Sequence, residues 1–215
     1  DDSLTVQVGG RLVQKDLARS LREISKDGAE AFYHGSIAQS IASFMSENGG
    51  LITLEDLAKY QPTIREPIHG TYRGYDVYSM PPPSSGGIHL VQMLNMLEGW
   101  NLEQFGARSA NWYHHLSEVM DLAFADRAQF LGDPAFVNVP TEGLISKAYA
   151  DSLRGRVTTI YDRHPRGPGI PQNYMANPPD SLLKERHTSH LSVVDKWGNM
   201  VALTTTVNTH FGSKL

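Results

Sequence analysis

The sequence of 215 residues is 40% hydrophobic and 20% charged, which suits one soluble globular domain or two small ones. A net charge of -4, with Lys and Arg scattered along the chain, argues against a nucleic-acid partner. With no cysteine, disulfides and cysteine-based zinc sites are excluded, and no apolar run reaches the ~18 residues of a membrane-spanning helix.

Val13, Leu17, Leu21 and Ile24 recur at helical spacing and predict an amphipathic helix ending near Gly28. A second helix is predicted from about Ser36, with Ile37, Ile41, Phe44 and Met45 inward and Gly49-Gly50 as its stop. Thr53 followed by Asp56 is an N-cap with an acidic third position, for a short helix through Tyr60. Ile68–Tyr72 and Tyr75–Met80 read as strands joined at Arg73-Gly74, the second ended by Pro81-Pro82-Pro83.

Ser84-Ser85-Gly86-Gly87 then opens a helix carrying Ile88, Val91, Met93, Leu94 and Leu97. That turn is either an anion site or a plain helix cap, and the cap is preferred. The longest helix is predicted from about Ser109 to Phe130, with Trp112, Leu116, Val119, Met120, Ala123, Phe124 and Ala128 inward. His114, His115 and Glu118 invite a metal reading, but no third ligand is indicated and the HExxH order is wrong, so no metal is expected. Asp126-Arg127 is expected to form an ion pair or a capping pair. Leu144–Leu153 is a short helix, and from Arg154 to Asp180 a chain rich in Pro, Gly, Arg and Asn predicts a long, mobile, irregular segment. The basic residues Arg154, Arg156, Arg163 and Arg166 read as a solvated loop.

The last stretch reads TSHLSVVDKWGNMVALTTTVNTHFGS. Leu191–Asp195 and Met200–Val207 are predicted strands around the turn Lys196-Trp197-Gly198-Asn199, where Gly-Asn is a hairpin signal. Alternation puts Thr204 and Thr206 on one face, with Leu203, Thr205 and Val207 on the other. A face of hydroxyls there reflects either the preference of threonine for strands or a site. No GxSxG elbow, Walker loop or dinucleotide glycine fingerprint is present.

This block resembles the processing site of the γ-glutamyltranspeptidases. Three further blocks occur in the family's order: NGGLITLEDLAKY at Asn48–Tyr60, YSMPPPSSGGIHLVQMLNMLE at Tyr78–Glu98, and LAFADRAQFLGDPAFVNVP at Leu122–Pro140. The resemblance implies an α/β fold, part of the four-layer αββα sandwich of the N-terminal-nucleophile hydrolases. The chain would be mostly helical up to about residue 155 and would end in a β-hairpin. It also implies that the chain cuts itself between His187 and Thr188. Residues 1–187 would then belong to the large-subunit region and residues 188–215 to the small-subunit region, one continuous incomplete domain.

Thr188 would be the nucleophile, supported by the Thr206 hydroxyl, with Asn208 helping to hold the amino-acid end of the glutamyl group. Ser189 stands where the family more often has threonine, and keeps the hydroxyl. The freed α-amine of Thr188 would serve as base, since its pKa of about 7.7–8.0 leaves about a third of it unprotonated near pH 7.4.

The partners implied are a γ-glutamyl substrate such as glutathione, an amino-acid or water acceptor, and the remainder of the precursor. No cofactor is implied, and the compartment would be periplasmic or extracellular. The chain opens at Asp1 without methionine, and family members are much longer. The family's carboxylate-clamping arginine and its oxyanion-hole glycines are expected outside it. A second reading is therefore a catalytically silent fragment of such a precursor, with a folding or binding role only.

Overall fold

The computed structural model describes residues 9–158, 166–172 and 188–206. The chain divides into two compact units, one of Asp1–Thr63 with Glu185–Leu215, the other of Ile64–Lys184.

In the first unit, α1 (Lys15–Asp27), α2 (Ala29–Tyr33), α3 (Ser36–Glu47) and α4 (Leu54–Lys59) follow one another. Gly28 ends α1 with φ of 65°, a left-handed conformation that glycine takes without a Cβ penalty, and α2 starts at once. The apolar stripe of α1 is uncovered: Leu17 and Leu21 are exposed and the helix has no buried residue. In α3, Ile37, Ile41 and Met45 are half-buried, but Phe44 is exposed. Helix α4 carries the expected reciprocal cap, with the Asp56 amide donating to Thr53 Oγ1 at 3.2 Å and the Thr53 amide to Asp56 Oδ2 at 2.8 Å. The unit also contains β3 (Thr188–Val194) and β4 (Met200–Thr206), an antiparallel hairpin.

The second unit holds the described core. Strands β1 (Ile68–Tyr72) and β2 (Tyr75–Ser79) pair antiparallel through Arg73-Gly74. Both turn residues have positive φ, 50° and 85°, as a two-residue turn matched to strand twist requires. Helix α5 (Gly86–Glu98) packs against β1 and against α6 (Ala110–Phe130), and a short 310 turn, Leu102–Phe105, precedes α6. A single turn, α7 (Thr141–Leu144), leads to α8 (Lys147–Arg154), capped by Ser146 Oγ, which accepts from the Tyr149 amide. Ile68, Ile88, Val91, Met96, Val119, Leu122, Phe130, Leu144 and Leu153 form the core, and burying each large aliphatic among them contributes about 1.5–3 kcal/mol.

Ser109, near which the helix is expected to start, caps α6, accepting from the Trp112 amide at 3.1 Å. Its buried face differs from the predicted one. Residues 115, 118, 119, 122, 123, 126 and 130 are buried, whereas Met120 and Phe124 are exposed. Three of the buried positions are polar, so a search for apolar spacing selects a neighbouring stripe.

Each of the three has its own partners. The His115 ring stacks on Phe105 with centroids 4.2 Å apart and meets Trp100 edge-on, and its Nδ1 lies 2.9 Å from the Asn111 carbonyl. Glu118 is bonded to Arg166. The Asp126 carboxylate accepts from Gln92 Nε2 at 2.5 Å, the Tyr149 hydroxyl at 2.8 Å and the Gly169 amide at 2.8 Å. Burial pushes this carboxyl up and the three donors pull it back. Arg127 turns elsewhere, to Ser85 Oγ at 3.0 Å and over the Phe124 ring. The expected pairing of Asp126 with Arg127 is thus replaced by separate partners.

Ser85 Oγ makes no capping bond to α5 and instead receives Arg127, while Ser84 Oγ accepts from the Gly86 amide at 3.3 Å. A Cβ on Gly87 would come within 2.1 Å of the Met80 carbonyl oxygen, so the turn needs glycine there to let the chain approach.

The segment expected to be irregular and mobile is docked where it is described. Arg156 donates to the Gly167 carbonyl at 2.7 Å, Pro171 is buried, and Arg166 reaches Glu118, whose side chain is 2% exposed. Arg166 therefore does not belong to a solvated loop.

Candidate active site

The site is built on the β3–β4 hairpin. Asp195 organises its turn. One carboxylate oxygen accepts from the Trp197 amide at 2.8 Å and the Asn199 amide at 2.9 Å, and the other from Asn199 Nδ2 at 2.8 Å. These bonds, that of the Asn199 side chain foremost, hold the Asp195 carboxyl below its ordinary pKa. Gly198 has φ of 85°, which completes a three-residue loop. The Asp195 and Gly198 amides close the turn onto the Asn199 and Asp195 carbonyls.

That turn sets the register. It pairs Val194 with Met200, Ser192 with Ala202, His190 with Thr204, and Thr188 with Thr206. Paired residues share a face, so Thr188, His190, Ser192, Thr204 and Thr206 line one side, and Leu191, Val193, Val201 and Leu203 the other. The expected alternation of the threonines is present for Leu203–Thr206. Strand β3 begins at Thr188, three residues earlier than predicted, because Thr188, Ser189 and His190 all find partners on β4.

Along the polar face, Thr188 Oγ1 donates to Thr206 Oγ1 at 3.2 Å. The His190 ring bridges two hydroxyls, with Nδ1 2.7 Å from Thr204 Oγ1 and Nε2 3.1 Å from Ser192 Oγ. No motif singles out His190 for this bridge. Its one signal in the sequence is its place in the alternation, two residues from Thr188. His187 and Asn208 lie outside the described residues. Both strands are exposed along their length.

His114 and Glu118 do not converge: His114 Nε2 lies 2.5 Å from the Thr158 carbonyl, and Glu118 holds Arg166. Among the described residues, no group of three His, Asp or Glu side chains is placed to hold a metal ion, and no helix is long and apolar enough to cross a membrane.

The chain resembles solved enzymes of the α/β class to which the N-terminal-nucleophile hydrolases belong. The Helicobacter pylori gamma-glutamyltranspeptidase structure superimposes with a TM-score of 0.65 at 46% identity, over 68% of this chain and 42% of that one. The gamma-glutamyltranspeptidase family model matches residues 2–215, and the chain belongs to that family. It is 49% identical to the glutathione hydrolase proenzyme of Escherichia coli K12, over 95% of this chain and 34% of that protein. It is 42% identical to the acylase ACY 1 proenzyme of Pseudomonas sp. SE83, over 97% of this chain and 35% of that protein. The chain thus spans about a third of the length of the curated relatives it matches.

Proposed function

We propose that these residues serve γ-glutamyl transfer or hydrolysis with Thr188 as nucleophile, in a protein that first cuts its own chain before Thr188. The observation that carries the reading is the Thr188–Thr206 hydroxyl pair at 3.2 Å, at the start of the strand that matches the family's processing block. In the cut, Thr188 Oγ1 attacks the His187 carbonyl carbon. The C–N bond breaks and the nitrogen takes the hydroxyl proton to become an amine. Water then hydrolyses the ester, restoring the Thr188 hydroxyl and leaving a carboxylate on His187.

In turnover, the freed amine accepts the hydroxyl proton as Oγ1 attacks the γ-amide of the substrate. The amine or thiol-bearing peptide departs with a proton, and a γ-glutamyl ester remains on Thr188. Water or an amino acid takes the acyl group. Thr206 keeps the nucleophile oriented, and Asn208 holds the amino-acid end of the glutamyl group. The two pieces, ending at His187 and starting at Thr188, stay together as one enzyme outside the cytoplasm. A γ-glutamyl amide such as glutathione is the substrate we favour, because a relative 49% identical to this chain is a glutathione hydrolase proenzyme.

The test uses the extended protein, meaning these 215 residues within a chain of the relatives' full length. Release of aniline from a γ-glutamyl anilide, lost in Thr188→Ala, is the expected result. Release that survives Thr188→Ala removes the nucleophile from the proposal.

A further inference from the structure

We propose that Asn48 is a site of spontaneous covalent modification, at which attack by the Gly49 backbone nitrogen expels the side-chain amide and the acid that results loosens the end of α3.

Asn48 and Gly49 form the one Asn-Gly pair in the sequence, and both are exposed. Gly49 has φ of 72°, the left-handed conformation that stops α3 and that larger residues rarely adopt. The helix end therefore requires glycine at 49, and glycine has no side chain to shield the attacking nitrogen. The hydrogen bonds around it leave that nitrogen uncommitted. The Asn48 backbone amide donates to the Phe44 and Met45 carbonyls at 3.1 and 3.3 Å, and the Gly50 amide donates to the Met45 carbonyl at 2.7 Å. A helix end of this kind can also pair the Gly49 amide with the Ser46 carbonyl. Among the described residues that bond is not made.

The one other Asp or Asn that precedes a glycine is Asp27, and its surroundings differ. The Gly28 amide donates to the Ile24 carbonyl at 2.8 Å, so the nitrogen beside Asp27 is already engaged. A carboxylate is also a poorer electrophile than an amide. Local structure thus separates two pairs that look alike in the sequence.

One contact resists the reaction at Asn48. Its Nδ2 donates to the Phe44 carbonyl at 2.8 Å, and ring closure requires that bond to open and ψ, 14° here, to turn. The step therefore proceeds when the last turn of α3 frays, as helix ends do. The Gly49 nitrogen bonds to Asn48 Cγ, the Cγ–Nδ2 bond breaks, and Nδ2 leaves as ammonia with the proton that Gly49 gives up. Water opens the succinimide at either carbonyl and leaves aspartate or isoaspartate. Neither product restores the helix end. The new carboxylate cannot donate to Phe44, and it adds negative charge where the helix dipole is already negative. Isoaspartate also lengthens the backbone just before Gly49. The fray that admits the reaction is made permanent by it.

The experiment stores the extended protein in warm, mildly alkaline buffer and maps its peptides by mass spectrometry over time, with aspartate and isoaspartate resolved by chromatography. Amide loss is expected first at Asn48, ahead of every other asparagine, with isoaspartate exceeding aspartate. Asn48→Gln, whose longer side chain does not form this ring, is expected to keep its amide over the same period. In Asn48→Asp, the Gly50 amide is expected to exchange about 2- to 5-fold faster than in the parent, from charge at the helix end. Loss at Asn48 no faster than at the other asparagines overturns the proposal. So does aspartate formed without isoaspartate, which marks direct hydrolysis in place of attack by Gly49. Gly50 exchange in Asn48→Asp equal to the parent's overturns the loosening of α3.

Discussion

Thr188 and Thr206 face each other across the last described pair of the β3–β4 ladder, and their hydroxyl oxygens lie 3.2 Å apart. The contact arises from a turn at the other end of the hairpin. Asp195 and Gly198 fix the register, and six alternating steps later it brings a threonine opposite a threonine. A slip of one residue would place Thr188 opposite Thr205 or Val207 and turn one strand's hydroxyls to the wrong face.

The first prediction concerns the pair itself. Thr206→Val keeps the branched shape and removes the hydroxyl. A hydrogen bond of ordinary net worth, about 0.5–1.5 kcal/mol, makes turnover of the extended protein about 2- to 13-fold slower. Thr206→Ser should retain most of it. Steady-state rates of both variants check this, and unchanged turnover in Thr206→Val would remove Thr206 from the site.

Gly198 gives a second. Its φ of 85° is left-handed, and no atom lies within 4 Å of where a Cβ would sit, so Gly198→Ala probes backbone conformation alone. That cost is about 1–2 kcal/mol, which corresponds to roughly 5- to 30-fold faster opening of the hairpin. Hydrogen exchange of the β3 and β4 amides measures it, and protection equal to the parent's would contradict the strain.

Much of this is readable from residue order, because the signals are local. Thr53 and Asp56 sit three apart and form their cap, Ser109 caps α6, and Gly198-Asn199 marks the hairpin. The features that escape such a reading depend on residues far apart. Glu118 and Arg166 are separated by 48 positions, and Asp126 and Gly169 by 43. No periodicity links such partners, so Glu118 suggests a metal and the segment around Gly169 suggests mobility. Helix α2 carries no signal of its own because it is only five residues long, too short for a 3.6-residue pattern to show. The proposed roles of Thr188 and Thr206 and the proposed cut before Thr188 come from resemblance, whereas the alternation of hydroxyls alone fits ordinary strand composition equally well.

The third prediction is a pH dependence. His89 is buried, with Nε2 unpartnered among the described residues, and its ring lies 5.3 Å from that of Phe124. Burial, with the Arg127 charge adding to it, lowers its pKa from 6.5 to about 4. The unfolded chain therefore binds the proton first as pH falls. Stability from the neutral ring is fully present above pH 6.5 and declines between 6.5 and about 4, by at most about 1.4 kcal/mol per pH unit. Urea unfolding across that range should show the decline, flattened in His89→Phe. A parental slope in His89→Phe would assign the titration elsewhere.

A fourth concerns the 215-residue chain by itself. Both strands of its hairpin are exposed, so the Thr188 hydroxyl would attack from a water-like dielectric, where developing charge is stabilised only weakly by fixed donors. We expect the His187–Thr188 bond to stay intact in this chain and to be cut in the extended protein. Intact-mass measurement decides. A piece starting at Thr188 from the 215-residue chain, absent in its Thr188→Ala variant, would show that the hairpin suffices.

The central claim is that Thr188 carries the acyl group, and mass spectrometry of the intermediate tests it most directly. The processed extended protein is mixed with a γ-glutamyl anilide, quenched in acid during turnover and digested. A γ-glutamyl increment is expected on the peptide that begins at Thr188, labile to hydroxylamine as an ester is. An increment on another peptide, or steady aniline release with Thr188 unmodified throughout, would contradict it.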